Sequence, residues 1–346
     1  MATINETIGT TGRDRSTITL WESNNGGGDG LGNDDCTGSC YADSDFDEAV
    51  TINFPCLSGV LTVAAGERHD GTAGTGARMV ASANARQIQI SDTADAYTVQ
   101  WLEWDWNGKT PGAGIRSGVF GTPVPMIGQM IVHDGAVTSG ETIGIGSSVR
   151  DAIVHNVILY NLNMTSTGSN IRGIQLDADT DTDIHNCTVY NVGTTGAGAA
   201  AGIAMNDLTN GSMRNNIVIG TYDNGGGGGD YETTSYSNAT VSHNIASDTS
   251  ASGTGSLNSK TAATNFVSTT GGSEDLHTKT AADTIDAGTD LGATPAGVAI
   301  DINGRDRDTE GDTWDIGAHE LVAAGGGTSP KGVFDNPFKG PFGGPV

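Results

Sequence analysis

A six-residue phrase returns at a nearly constant interval through the middle of this chain, and that return restricts the possible folds more than any other feature. It reads Gln129-Met-Ile-Val-His-Asp134, Asn156-Val-Ile-Leu-Tyr-Asn161, Asn186-Cys-Thr-Val-Tyr-Asn191, Asn215-Asn-Ile-Val-Ile-Gly220 and, more faintly, His243-Asn-Ile-Ala-Ser-Asp248. Successive copies begin 27, 30, 29 and 28 residues apart. Short strands repeating at that interval predict a solenoid, because a single rung cannot bury its inner face without a neighbour.

Side chains of a pleated strand alternate between two faces. Met130 and Val132, Val157 and Leu159, and Cys187 and Val189 fall on one face, expected to be the core, while His133, Tyr160, Tyr190 and Ile219 fall on the other. A second strand is expected at Ile143-Gly-Ile145, Ile174-Gln-Leu176 and Ile203-Ala-Met205, at steps of 31 and 29. Turns of Gly, Asn, Asp, Ser and Thr separate the strands, as in a coiled parallel sheet. Asn156, Asn186 and Asn215 recur at one turn, where their amides are expected to stack as a structural ladder. Upstream, residues 46–54, 59–63, 78–80, 87–90 and 99–106 read as strands, and 24–40 as a Gly/Asp/Asn loop.

Composition agrees with this reading. The chain has 53 glycines in 346 residues, which long helices tolerate poorly and a solenoid uses at its corners. An apolar fraction of 36% is low, yet a narrow coil is filled by a few residues per rung. The formal charge of -25 disfavours binding to nucleic acid and to anionic membranes, and no stretch is long and apolar enough to cross a bilayer. No basic segment followed by an apolar run opens the chain, so no secretory signal peptide is expected. Cys36 and Cys40 are close enough in sequence for a local bridge, Cys56 stands apart, and Cys187 takes an inward position as a small apolar group.

The rung pattern resembles the right-handed parallel β-helix proteins with the pectate-lyase fold, a group that includes polysaccharide-degrading enzymes, phage tail spikes and bacterial surface proteins. Two further phrases carry the resemblance. Residues 7–22 are similar to the opening of many such proteins, where a strand and a short helix close the coil. Asp301-Ile-Asn-Gly-Arg-Asp-Arg-Asp308 with Asp315-Ile-Gly-Ala-His-Glu320 resembles their terminal rung, and implies that Arg307 pairs with Asp315 or Glu320 to tie the last coil shut. The expected organisation is an N-terminal cap and loop over 1–50, an all-β parallel β-helix over 51–321, and a Gly linker with a Phe/Pro tail over 322–346.

Several residues are candidates for chemistry. Trp101 shares a strand face with Glu103 and Asp105, and an exposed aromatic beside carboxylates suits a sugar ring, while tryptophans that pack an end rung or a subunit contact fit the pattern equally. With His133, Tyr160 and Tyr190 it makes a candidate strip for glycan contact. Hydrolysis on such a scaffold needs two or three carboxylates facing one groove; Glu103, Asp105 and Asp134 are the first candidates, followed by Asp151 and Asp177. Asp301, Asn303, Asp306, Asp308, Glu310 and Asp312 gather oxygen ligands around Gly304, a pattern open to Ca2+ or to simple turn capping. Phe334, Phe338 and Phe342, spaced by prolines, are expected to dock the tail on a partner or neighbouring subunit.

Two functional readings follow. One is a non-enzymatic structural or adhesion component of a virion or cell-surface appendage, a spike, fibre or decoration protein anchored by its tail and touching host polysaccharide; shafts of this kind are often homotrimers, and the sequence leaves the oligomeric state open. The alternative is a polysaccharide lyase or glycoside hydrolase on the same scaffold. The missing export signal, the aromatic tail and the lack of a lyase-type basic cluster favour the first.

Overall fold

The computed structural model describes residues 3–322 except for short stretches at 26–33, 55, 85–87, 92–95, 111–112, 118–123, 139, 141, 148–151, 167, 178–181, 207, 226, 234–235 and 311–312. Three parallel sheets of nine, seven and seven strands run along a coil. One lap takes Ile153–His155 in the first sheet, Ile158–Met164 in the second and Ile171–Asp177 in the third. The next lap takes Asp183–His185, Thr188–Thr194 and Ala200–Asn206. Val154 lies against Ile184, Leu159 against Val189 and Ile174 against Ile203, so each lap lies on the one before it. This is the parallel β-helix that the spacing predicts.

The expected inward residues are inward. Met130, Val132, Val157, Leu159, Cys187 and Val189 all belong to one buried apolar core inside the coil, where removing a side chain such as Leu159 from water contributes roughly 1.5–3 kcal/mol. The second strand is offset from expectation: Ile145, rather than Ile143, pairs with Ile174, and Ile143 pairs with Arg172. The regular step is therefore 29, not 31. Gly144 and Gly173 pass so closely here that a Cβ on Gly144 would meet the Gly173 carbonyl at 2.5 Å.

The recurring Asn marks the corner between the first and second sheets. Trp101, Gln129, Asn156, Asn186, Asn215 and His243 all have φ between 45° and 65°, a left-handed conformation that Asn adopts more readily than other side-chain-bearing residues. Their amides do not form the expected ladder. That ladder sits one residue on and inside the coil, where the Asn244 Oδ1 accepts from the Asn216 Nδ2 at 3.1 Å and from the Asn216 N–H at 3.0 Å. Asn216 Oδ1 in turn accepts from the Cys187 N–H at 3.0 Å. The corner amides point outward instead and grip the C-terminal segment.

The N-terminal end begins earlier than expected. Thr3–Ile8 and Asp35–Cys40 are the first two strands of the nine-stranded sheet, so the second half of the expected 24–40 loop is strand. The helix Ile18–Asn25 covers this end, with Trp21 edge-on to Phe54 at 5.0 Å and the Glu48 carboxylate accepting from the Ile18 and Thr19 N–H groups at 2.8 and 2.7 Å. Cys36 and Cys40 are both free. They lie at opposite ends of one extended strand, separated by roughly 13 Å at the rise of a β-strand, which rules out the local bridge.

The C-terminal segment differs most from expectation. After the last lap the chain forms the antiparallel hairpin Phe266–Thr270 with Ser273–Thr278. It then runs back over the outer face of the second sheet, where among the described residues the short helix Arg307–Glu310 is the one regular element. A second apolar core results, in which Ile131, Ile158, Tyr160, Ile217 and Ile219 pack against Phe266, Leu276, Ile302, Ile316 and Ala318. The 301–320 phrases therefore make a strap along the middle laps, not a terminal rung. Gly297 O accepts from Gln129 Nε2 at 3.0 Å, and Val298 O accepts from both Asn156 Nδ2 and Asn186 Nδ2 at 3.0 and 3.1 Å. Fully buried Arg307 donates to Glu320 Oε2 and Gly317 O, each at 2.8 Å, and meets Asp315 only through its backbone carbonyl.

Candidate functional site

The 99–106 run is two strands, Ala96–Gln100 and Glu103–Asp105, broken by the corner at Trp101. That break decides the fate of the first glycan candidate. Trp101 is 4% exposed, with the Arg68 guanidinium 4.5 Å from its ring centroid and His69 at 5.8 Å, so of the two readings of this ring the structure shows packing and not an exposed sugar platform. His133 and Tyr160 are also buried and stack on each other at 5.1 Å, within 8° of parallel. Tyr190 is half-buried, edge-on to Phe266 at 5.9 Å. The strip was expected to be open because alternation pointed it outward; the strap covers most of that face.

Glu103, Asp105, His133 and Asp134 do come together, on adjacent strands of the second sheet. His133 Nε2 lies 3.1 Å from Glu103 Oε1, and Nδ1 lies 3.0 Å from Asp134 Oδ2. Burial works against a charged imidazole, but the hydrogen bonds to Asp134 and Glu103, with the field of Asp105, outweigh it and raise His133 to about 9. His133 is thus an imidazolium at neutral pH and not a proton acceptor. Glu103 is fully buried, and its other oxygen accepts from the Gly74 N–H at 2.6 Å. The hydrogen bond from His133 holds Asp134 below the usual carboxylate range, against the effect of burial and with help from Asn161.

One ligand atom from each of Asp105, His133 and Asp134 lies within 4.8 Å of the others, the only such grouping among the described residues. Both His133 nitrogens already face a carboxylate, so a divalent ion here must displace a ring proton. Several of the oxygens expected to hold Ca2+ also take hydrogen bonds within the C-terminal segment. Asp301 Oδ1 accepts from the Asn303 and Arg305 N–H groups, both at 2.8 Å. Asp306 Oδ1 takes the Asp308 N–H at 3.0 Å, Asp308 Oδ1 takes Trp314 Nε1 at 2.9 Å, and Asn303 Oδ1 faces His277 Nε2 at 2.9 Å. Asp312 and Asp151 lie outside the described residues, as do Phe334, Phe338 and Phe342, and the Asp177 side chain is not described.

No family model, no curated protein and no solved structure matches this chain. Its chemistry has to be read from its own geometry.

Beside the buried cluster lies a cleft of 490 Å³, walled on one side by Asp134, Asn161, Tyr190 and Asn191 and on the other by Thr269 and Glu274 of the hairpin. Asp134, Asn161 and Asn191 occupy the same position in three successive laps, with φ of 58°, 55° and 55°. This second left-handed column kinks each strand and forms a chain of hydrogen bonds. Asn191 Nδ2 donates to Asn161 Oδ1 at 2.7 Å, and Asn161 Nδ2 donates to Asp134 Oδ1 at 2.9 Å and to Glu274 Oε1 at 2.7 Å. Asn161 and Asn191 were legible as the closing residues of the repeated phrase. Glu274 carried no sequence signal, because the hairpin brings it from 113 residues away.

Proposed function

We propose that this protein is a non-enzymatic adhesive β-helix, a component of a virion or cell-surface appendage that holds a surface polysaccharide in the cleft between the second sheet and the hairpin. The observation that carries this reading is the contrast between the two neighbouring groups of polar residues. Glu103 and His133 are buried and saturate each other, which leaves neither free to move a proton on a substrate. The Asp134, Asn161 and Asn191 column instead lines the open cleft, where carboxylate and amide oxygens recur once per lap, roughly every 4.8 Å along the coil, and Asn191 has a second amide hydrogen beyond the one it gives Asn161. Tyr190 supplies an aromatic surface beside it, the combination that binds sugar rings. The tail with Phe334, Phe338 and Phe342 is the proposed mount on other subunits, in a homotrimer or a larger assembly.

Screening the protein against immobilised polysaccharides tests the reading. Binding should weaken at least about tenfold in an Asn161→Ala, Asn191→Ala variant, with no reducing ends released. Removing residues 329–346 should abolish assembly and leave glycan binding intact. A second reading has one observation in its favour: Asp134 and Glu274 share the Asn161 nitrogen, which places their oxygens no farther apart than about the 5–5.5 Å of a retaining glycosidase pair. Reducing ends that appear with the wild type and vanish with Glu274→Gln would replace adhesion by hydrolysis.

A further inference from the structure

The charge balance of the cleft points to the class of sugar it takes. Two carboxylates, Asp134 and Glu274, line it, and among the described residues no Lys or Arg does. The two are not equivalent. Asp134 is met by the His133 imidazolium at 3.0 Å. Glu274 has no cationic partner among the described residues; its one hydrogen bond there is the Asn161 amide on Oε1. Its second oxygen takes no protein donor among those residues, and the side chain is half-buried at the cleft wall. A half-buried carboxylate at a cleft wall, bonded there by one neutral amide, keeps lone pairs that a cationic donor can take. The nearby Asp134 and Asp105 add to the negative potential, and the whole chain carries -25, so an anionic sugar is repelled from the same place.

We propose that the polysaccharide held here carries protonated amines, as a de-N-acetylated amino-sugar polymer does, with one ammonium set between Glu274 Oε2 and Asp134. This rests on the glycan-binding reading above and narrows it. The ammonium donates to Glu274 and to the remaining lone pairs of Asp134, while Asn161 and Asn191 address neighbouring hydroxyls and Tyr190 lies against a ring face. Uronic-acid and sulfated polymers lack any partner in this wall. An N-acetylated polymer of the same backbone loses the charge and adds bulk at the point where the two carboxylates face the ligand.

The test is calorimetric titration of the full chain with three oligosaccharides of equal length: a glucosamine oligomer, its N-acetylated counterpart and an oligogalacturonate. The glucosamine oligomer should bind at least about tenfold more tightly than the acetylated one, and the oligogalacturonate should show no heat. Raising salt from low concentration to roughly 0.3 M should weaken the first interaction markedly and leave the acetylated oligomer nearly unchanged. Glu274→Gln, checked for an unaltered melting curve, should erase the preference for the free amine while keeping the residual binding. Equal affinity for the amine and acetylated oligomers overturns the proposal and leaves the glycan-binding reading standing; no binding of any of the three overturns both. Heat from calcium chloride alone that disappears in Glu274→Gln assigns the carboxylates to a metal ion, and also overturns the proposal.

Discussion

The coil and the strap that runs back over it are both tightly packed, yet they are held by different physics. In the coil every contact is repeated: Leu159 on Val189, Val189 on Val218, Ile145 on Ile174 and Ile174 on Ile203. Loss of one contact leaves equivalent ones above and below. In the strap nothing repeats. Its cohesion comes from the apolar layer around Phe266 and Ile316, from the corner amides that donate to Gly297 O and Val298 O, and from the buried Arg307–Glu320 ion pair with Asp301 and Asp315 in its field. A periodic stack tolerates local damage, whereas an aperiodic strap with one buried ion pair does not.

Arg307→Ala should show the greatest loss. It removes the ion-pair partner of buried Glu320 and the positive field that opposes the burial of Asp301 and Asp315, and a loss of about 3–5 kcal/mol is expected. Limited proteolysis should then cut within 279–322 while the coil stays resistant; simultaneous digestion of both would show that they are one cooperative unit. The counterpart inside the coil is Asn216→Ala. It leaves the buried Cys187 N–H and Ile184 O without their partners, for an expected cost of about 1–3 kcal/mol in denaturant unfolding. Because the Asn244 amide still reaches Met213 O, damage should stay within one or two laps, as amide hydrogen exchange would show.

The smallest effect is one of pH slope. Burial, partly opposed by Arg307, raises Glu320 to about 7. A carboxyl raised on folding stabilises fully below its ordinary range, and that contribution is lost as pH rises through 7. In the coil His155 and His185 have the opposite sign: burial pushes both down to about 3, so their contribution is present above about 6.5 and lost on acidification, while His133, raised to about 9, shares the sign of Glu320. Within the strap His319, also pushed down by burial and by His277, shares the histidine sign. Following strap proteolysis from about pH 5 to 8 in wild type and Glu320→Gln isolates the carboxyl term. The variant should lack the loosening above pH 6–7; identical profiles would place that proton elsewhere.

The sequence was most informative where the fold is periodic. The lap length and the inward set of Val157, Leu159, Cys187 and Val189 were legible because one interval and one alternation govern all of them. The recurring Asn was visible too, but its reason was not. A left-handed corner and an amide ladder both favour Asn, and only coordinates separate Asn215 at the corner from Asn216 in the ladder. Asp35–Cys40 was hidden because Asp-Cys-Thr-Gly-Ser-Cys is a turn-like composition, made a strand by its neighbours on either side. The strap has no period to reveal it, although Ile131, Ile158, Ile217 and Ile245 at outward positions signalled that something apolar covers that face. Of the candidate site, the Asp134, Asn161 and Asn191 column was written in the repeat. The burial of Trp101 and the arrival of Glu274 depend on chain reversal, which local patterns do not encode.

Because Val298 O accepts hydrogen bonds from the corner amides of two adjacent laps, the strap measures the stack it lies on. Solenoids ordinarily grow or shrink by whole repeats with little penalty. Here, duplicating the repeat between Asn156 and Asn186 would separate those two amides by an extra layer, and the fixed span from Gly297 to Gly317 could no longer reach Gln129 at one end and Thr188 at the other. The strap is a ruler for copy number, and it holds this molecule to one length where its architecture alone would allow many.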